Sequence, residues 1–157
     1  MKRKLLNECT IRFPAFSRNE SLSRSVSAAF AAQFDPTAAD IAAVKIAVSE
    51  AVTNAVVHAY TDRDRAENAR VEMSVRLYEG GFLRIIIKDK GRGISDVEQA
   101  MKPEFTTAPE SEERSGLGFT VMSSFMDSVK VRSAEGKGTT VTLEKQLSTY
   151  EYGENEK

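Results

Sequence analysis

A helix that is apolar on nearly every side has to be buried, and Glu50-Ala-Val-Thr-Asn54-Ala-Val-Val-His58 belongs to such a helix. Val44, Val48, Ala51, Val52, Ala55 and Val56 recur at helical spacing and need a core to face. Glu50, Asn54 and His58 stand four residues apart, so they share one face, one turn above another. A buried carboxylate is costly unless it is paired or does chemistry. The polar line on this helix therefore marks a candidate active site.

The rest of the chain is ordinary in bulk. Its 157 residues suffice for one domain with a sizeable core, with 41% hydrophobic and 29% charged residues. The formal net charge is −1, which removes a global electrostatic case for nucleic acid or membrane partners. Cys9 is the single cysteine and cannot form an internal disulfide. The basic start, Met1-Lys-Arg-Lys, lacks the apolar stretch of a signal peptide, and no segment reaches the ~20 apolar residues of a membrane span. These features predict a cytoplasmic protein.

Periodicity predicts the order strand, helix, helix, strand, strand, helix, strand, strand. Glu8 to Pro14 alternates as a strand, and Ser17-Arg-Asn-Glu20 has the form of a capping box ahead of a helix through Leu22, Val26 and Phe30. Asp35-Pro36 ends that helix, and Thr37 caps a second one running to about His58 or Tyr60. Val71 to Leu77 and Phe82 to Asp89 form a hairpin about Glu79-Gly80-Gly81. Asp96 to Lys102 is a short helix, and 103–115 a long loop of the functional kind. A helix spans Leu117 to Met126, and a closing hairpin joins Val129–Ser133 to Thr139–Leu147. The pattern predicts one α+β domain over 1–147. It is a two-layer sandwich with helices on one face of a mixed, mainly antiparallel sheet. The polar tail, 148–157, is expected to be disordered.

Four motifs fall in a telling order: Glu50…Asn54, Asp89-Lys-Gly91-Arg-Gly93, Ser115-Gly116-Leu-Gly118 and Gly138-Thr139-Thr140. Each suits a nucleotide site. An Asn amide oxygen is a hard ligand for Mg2+. Asp89 at a strand end can accept from an adenine amino group, and Gly91 and Gly93 let backbone come close. Gly116 and Gly118 open a helix whose free amides can face phosphates, with Arg114 beside them. Thr139 offers a hydroxyl at the pocket floor, and 103–115 a lid. Taken singly, Asp89-x-Gly-x-Gly reads as a plain turn, Gly138-Thr139 as hairpin chemistry, and His58 as a structural residue near a helix end. The conjunction carries the functional reading.

These stretches resemble the Asn box and glycine boxes of the GHKL ATPases, the superfamily of gyrase, histidine kinases and mismatch-repair ATPases. Asn19-Glu-Ser21, Asp35-Pro-Thr37, Phe105-Thr-Thr107, Arg114-Ser-Gly-Leu-Gly-Phe-Thr120 and Phe125-Met-Asp127 narrow the resemblance. They are similar to the anti-sigma-F factors of spore-forming bacteria, from about Ile11 to Leu147. The resemblance implies the histidine-kinase-like ATPase fold and a dual role. Such proteins bind ATP or ADP, bind and inhibit the sporulation sigma factor F, and with ATP and Mg2+ act as serine kinases on an anti-anti-sigma factor. They work as homodimers.

By position, the resemblance makes Glu50 the general base and Asn54 the Mg2+ ligand. Nucleotide contacts fall on Asn54, Asp89, Gly91, Gly93, Ile94, Thr106, Thr107, Arg114, Ser115, Gly116, Leu117, Gly118, Phe119 and Thr139, and Arg24 meets the protein partners. Ala59 stands where relatives often carry Gly, and Asp62 to Ala69 is a longer loop. Rival readings are a switch kinase for a stress-response sigma factor, a nucleotide-binding module without transfer, and a detached histidine kinase domain. Against the last, no segment here reads as a dimerising helical hairpin with a phosphoacceptor His, and the one His lies in the Asn-box helix.

Overall fold

The computed structural model describes residues 2–60, 68–103 and 117–149. Alternating sequences become a five-stranded sheet: β1 (Leu5–Pro14), β2 (Arg70–Tyr78), β3 (Phe82–Asp89), β4 (Ser128–Ser133) and β5 (Thr139–Gln146). The strand order is β1-β2-β3-β5-β4, and all four pairings are antiparallel. β1 begins three residues earlier than the sequence pattern indicates, because Leu5 to Asn7 continue along β2 as an exposed edge.

The period of two is realised in full on β2 and β3. Val71, Met73, Val75 and Leu77 point inward and lie opposite Asp89, Ile87, Ile85 and Leu83. Ile85 and Ile87 in turn face Leu143 and Val141 on β5. The outward residues form cross-strand charge pairs. Arg12 reaches Glu72 at 2.5 Å, Arg76 reaches Glu8 at 3.1 Å, and Arg84 and Lys130 hold Glu144 at 2.8 and 3.3 Å. Burial pushes the Glu144 carboxyl up, but Arg84 and Lys130 outweigh it and hold it below the usual range.

The helices α1 (Asn19–Ala32), α2 (Ala38–Val57) and α4 (Gly118–Phe125) cover the inward face, and α3 (Val97–Ala100) is a single turn. α2 is the centre of this layer, in contact with α1, α4 and the sheet. Val44, Ala47, Val48 and Val52 are fully buried. Thr37 caps α2 as predicted, its Oγ1 accepting from the Asp40 N–H at 3.2 Å. The capping box at Ser17–Glu20 does not form: Arg18 is the N-cap, without a side-chain bond. Glu20 turns to α2 instead, where Ser49 and Thr53 donate to its carboxylate and Arg24 lies 3.2 Å away. Two tertiary donors and one from the next turn of α1 replace one local amide. Among the described residues, no helix is long and apolar enough to cross a membrane.

The chain after β5 is fastened where the sequence predicts a free tail. Thr37 N–H donates to Ser148 O at 3.1 Å, and Thr149 bridges to Pro36. Residues 150–157 lie outside the described residues. The fastening centres on Asp40, buried in the first turn of α2. It accepts from the Ser148 N–H at 2.7 Å and faces Lys145 Nζ at 3.5 Å. Its charge also suits the positive end of the helix. Asp40→Ala strands both donors and is expected to lower stability by about 2–3 kcal/mol in urea denaturation. A loss below about 0.5 kcal/mol, the range of an exposed ion pair, would show that Asp40 does not hold this segment.

Candidate functional site

α2, α4, the end of β3 and the start of β5 enclose a cavity of about 700 Å³, the size of a small-molecule site. Glu50, Asn54, Asp89, Gly93, Ile94, Leu117, Gly118, Phe119 and Thr139 line it. Gly91 stands just outside that lining. Arg24 lies in a neighbouring shallow groove between α1 and α2, which meets the cavity at Ser49 and Glu50. Thr106, Thr107, Arg114, Ser115 and Gly116, with the expected lid from residue 104 on, lie outside the described residues.

One turn of α2 separates Glu50 from Asn54, and both converge on the start of α4. A Cβ added at Gly118 would lie 3.2 Å from Glu50 Oε2 and 3.3 Å from Asn54 Oδ1. Gly118 thus marks the point where a carboxylate, an amide oxygen and the unbonded first amides of a helix come together. His58 is the C-cap of α2, its N–H donating to Asn54 O at 2.9 Å, and it lines the cavity one turn further on.

Across the cavity, Asp89 ends β3. Its Oδ1 accepts from the Gly91 N–H at 3.0 Å and the Thr139 N–H at 3.2 Å. Among the described residues no hydrogen bond falls on Oδ2. Asp89 therefore presents one oriented acceptor to the cavity. The two glycines after it stand close against protein backbone. A Cβ on Gly91 would lie 2.0 Å from Ala59 O, and one on Gly93 2.0 Å from Ala134 O. The Arg92 N–H donates to the same Ala59 carbonyl at 2.7 Å. The Tyr60 hydroxyl joins the two ends of the hairpin, accepting from Lys90 N–H at 3.0 Å and donating to Arg70 O at 2.7 Å.

Sequence reading misses Glu20, Ser49 and Thr53, which also line the cavity. A signal for two of them exists: Ser49 and Thr53 repeat the four-residue spacing of Glu50 and Asn54 one residue earlier. Glu20 carries no such signal, because its local pattern points to a helix cap.

Desolvation pushes the Asp89 carboxyl from its ordinary 3.8 up to about 6, and the Gly91 and Thr139 amides only partly offset it. The folded protein thus holds this proton more tightly than the unfolded chain. The corresponding stability is full below about pH 4 and is lost as pH rises through about 6. Asp89→Asn keeps an amide oxygen for Gly91 and Thr139 and removes the buried charge. It should stabilise the ligand-free protein at neutral pH by about 1–2 kcal/mol and flatten its pH dependence between those limits. Chemical denaturation across pH tests this; an unchanged pH slope would sink the assignment.

Comparison with known proteins gives the family and the fold. The family model described as the histidine kinase-like ATPase domain matches residues 13–145. The anti-sigma F factor of Geobacillus sp. (strain WCH70) is 49% identical over 142 residues, which cover 90% of this chain and 94% of the relative. That of Thermoanaerobacter sp. (strain X514) is 46% identical over 144 residues, 91% of this chain and 96% of the relative. Among solved structures, the RsbU and RsbW domains of a Mycobacterium tuberculosis protein align with a TM-score of 0.62 at 20% identity. The alignment covers 90% of this chain and 33% of that longer one. The mycobacterial sensor histidine kinase MprB aligns with a TM-score of 0.55 at 15% identity, over 91% of this chain and 99% of that one. The two structures speak for the fold alone. A cavity walled by the Glu50–Asn54 helix face and by Asp89 thus sits in a chain that belongs to the anti-sigma F factors, a family built on the histidine kinase-like ATPase domain.

Proposed function

We propose that this protein binds and inhibits the sporulation sigma factor F and, with Mg2+-ATP, phosphorylates a serine of an anti-anti-sigma factor. The observation that carries this reading is the convergence of Glu50 and Asn54 on Gly118, in a chain 49% identical to an anti-sigma F factor. Phosphoryl transfer needs positioning and charge neutralisation more than covalent help from the protein. Glu50 accepts the proton of the attacking serine hydroxyl. The first amides of α4, with Arg114 to Gly116 ahead of them, face the phosphates. Asp89 Oδ2 accepts from the adenine amino group, with Ile94 and Thr139 beside the base, and Thr106 and Thr107 are assigned to the nucleotide by family resemblance alone. ADP occupies the same site after transfer.

The donor set fits magnesium. Among the described residues no cluster of His, Cys, Asp and Glu forms a metal cage. Asn54 is instead a single hard ligand, suited to an ion that keeps waters and bridges phosphates. Charge supports this. Among the described residues that line the cavity, Glu20, Glu50, Asp89, Asp96 and Glu135 are acidic, against one lysine or arginine, Arg92. A polyphosphate is repelled from such a wall unless a cation accompanies it. When bound, the ion supplies neutralisation of the phosphate charge.

Arg24 gives the protein partners a place. Its groove shares Ser49 and Glu50 with the cavity, so a segment held at Arg24 lies next to the candidate base. The reading includes a homodimer in the cytoplasm, with no nucleic acid or membrane contact.

Incubation with labelled ATP, Mg2+ and the antagonist protein should place label on a serine. Glu50→Gln is expected to slow transfer by about 10²–10⁴-fold while sparing ATP and sigma factor binding. Loss of nucleotide binding in that variant would count against a base. Asn54→Ala should weaken ATP binding in the presence of Mg2+ and leave Mg2+-free binding near that of the unmodified protein. Equal affinity with Mg2+ present would remove Asn54 as a metal ligand.

A further inference from the structure

Ser133 ends β4 and lies behind the cavity wall, not in it. Its hydroxyl nevertheless holds three groups together. The Ile94 N–H donates to Oγ at 2.7 Å. The same Oγ lies 2.8 Å from Gly138 O and 2.8 Å from Thr139 Oγ1. A hydroxyl has one hydrogen and two lone pairs. Gly138 O is a carbonyl and can only accept, so the Ser133 hydrogen goes to it. The contact with Thr139 must then use the Thr139 hydrogen. Ser133 accepts from Ile94 and from Thr139 and donates to Gly138, and its capacity is full.

The consequence reaches the cavity. Thr139 has given its only hydroxyl hydrogen to Ser133, so towards a ligand it offers lone pairs alone. Beside it, Asp89 Oδ1 is taken by the amides of Gly91 and Thr139, which leaves Oδ2 as a second acceptor. The floor of the pocket is therefore made of acceptors.

The geometry points to Ser133 as a positioning residue for base specificity: by fixing Thr139 as an acceptor next to Asp89, it makes the pocket select a 6-aminopurine over a 6-oxopurine. This inference rests on the nucleotide-site reading above. An exocyclic amino group brings two hydrogens, one for each acceptor. A 6-oxo group brings lone pairs against both and leaves buried acceptors unpaired, the situation in which polar sites discriminate strongly. Without the Ser133 hydroxyl, the Thr139 hydroxyl is free to rotate and donate to an oxo group. Ile94 also loses its tie to the β4–β5 hairpin.

Affinities of the full chain for ATP and inosine triphosphate, measured by competition near pH 8, test this directly. The unmodified protein should prefer ATP by on the order of 100-fold. Ser133→Ala should narrow that ratio by at least about tenfold, through tighter inosine triphosphate binding as well as weaker ATP binding. Ser133→Thr keeps the hydroxyl and should retain the ratio. An unchanged ratio in Ser133→Ala, or an equal loss of both ligands, overturns the proposal and leaves Ser133 a merely structural residue. Should Ser133→Ala not fold, Thr139→Val removes the acceptor itself, and an unchanged ratio there overturns the proposal equally. If the unmodified protein binds both nucleotides alike, the specificity inference fails alone. If it binds neither, the nucleotide-site reading falls with it.

Discussion

The seat of α2 on the sheet aims Glu50 and Asn54 into the cavity. Val44, Ala47, Val48 and Val52 are fully buried in a core that includes Met73, Val75, Ile85 and Leu143. Successive residues on a helix are about 100° apart, so turning α2 by one position would expose valines and bury Glu50. Each exposed valine costs on the order of 1.5 kcal/mol, and a buried carboxylate more. The core thereby fixes the rotation of α2, and with it the direction in which Glu50 and Asn54 project. Ser49 and Thr53, one residue earlier, come to face Glu20 on α1 by the same rotation. A single packing decision sets one polar edge against the cavity and ties the other to the neighbouring helix.

The cavity itself works against stability. Burial holds the Asp89 carboxyl up to about 6, and several acidic side chains line the same space. The buried Asp89 charge does not help the ligand-free fold. Functional sites are where a chain departs from its own folding preferences, and the offset comes from elsewhere. Here it comes from the apolar layer between helices and sheet, and from polar fasteners at the periphery. Asp40 with Ser148 and Lys145 joins the end of β5 to the start of α2. Glu144 with Arg84 and Lys130 braces the outer face of the sheet. These groups are paired within the protein, whereas Asp89 Oδ2 takes no hydrogen bond among the described residues.

Much of this was legible in the residues, for reasons that differ by element. The β2–β3 hairpin follows from strict alternation about two glycines, and its strands run within one residue of the expected limits at all four ends. Thr37 as a helix cap and Asp35-Pro36 as a break are local chemistry, readable without a fold. The Glu50–Asn54 pair was visible because polar residues on an apolar helix contradict its burial. Glu20 was misread because the capping-box pattern is also local, while the Ser49 and Thr53 hydroxyls that claim it are about 30 residues away in sequence. Gly91 and Gly93 read as letting backbone come close to a base; the protein backbone they also meet, the carbonyls of Ala59 and Ala134, only the tertiary fold identifies. Ser133 had no sequence signal, since its role depends on register across the last hairpin.

The strand order explains why the site forms at this end of the sheet. β5 lies between β3 and β4, so the chain leaving Asp89 cannot turn back into a neighbouring strand. It must run out, return along the outer strand β4, and only then enter the gap beside β3. Asp89 and Thr139 are paired across that gap and hydrogen-bonded although 50 residues apart. The excursion between them contains α3 and α4 and so has the length to wall a cavity. Closing a long loop is not much harder than closing a short one, since each doubling of length adds only about 0.6 kcal/mol. An insertion of β5 between β3 and β4 therefore yields, at small entropic expense, a segment free to carry Gly118 to Glu50 and Asn54. It also fixes, through the pairing of Thr139 with Asp89, the acceptors at the opposite wall.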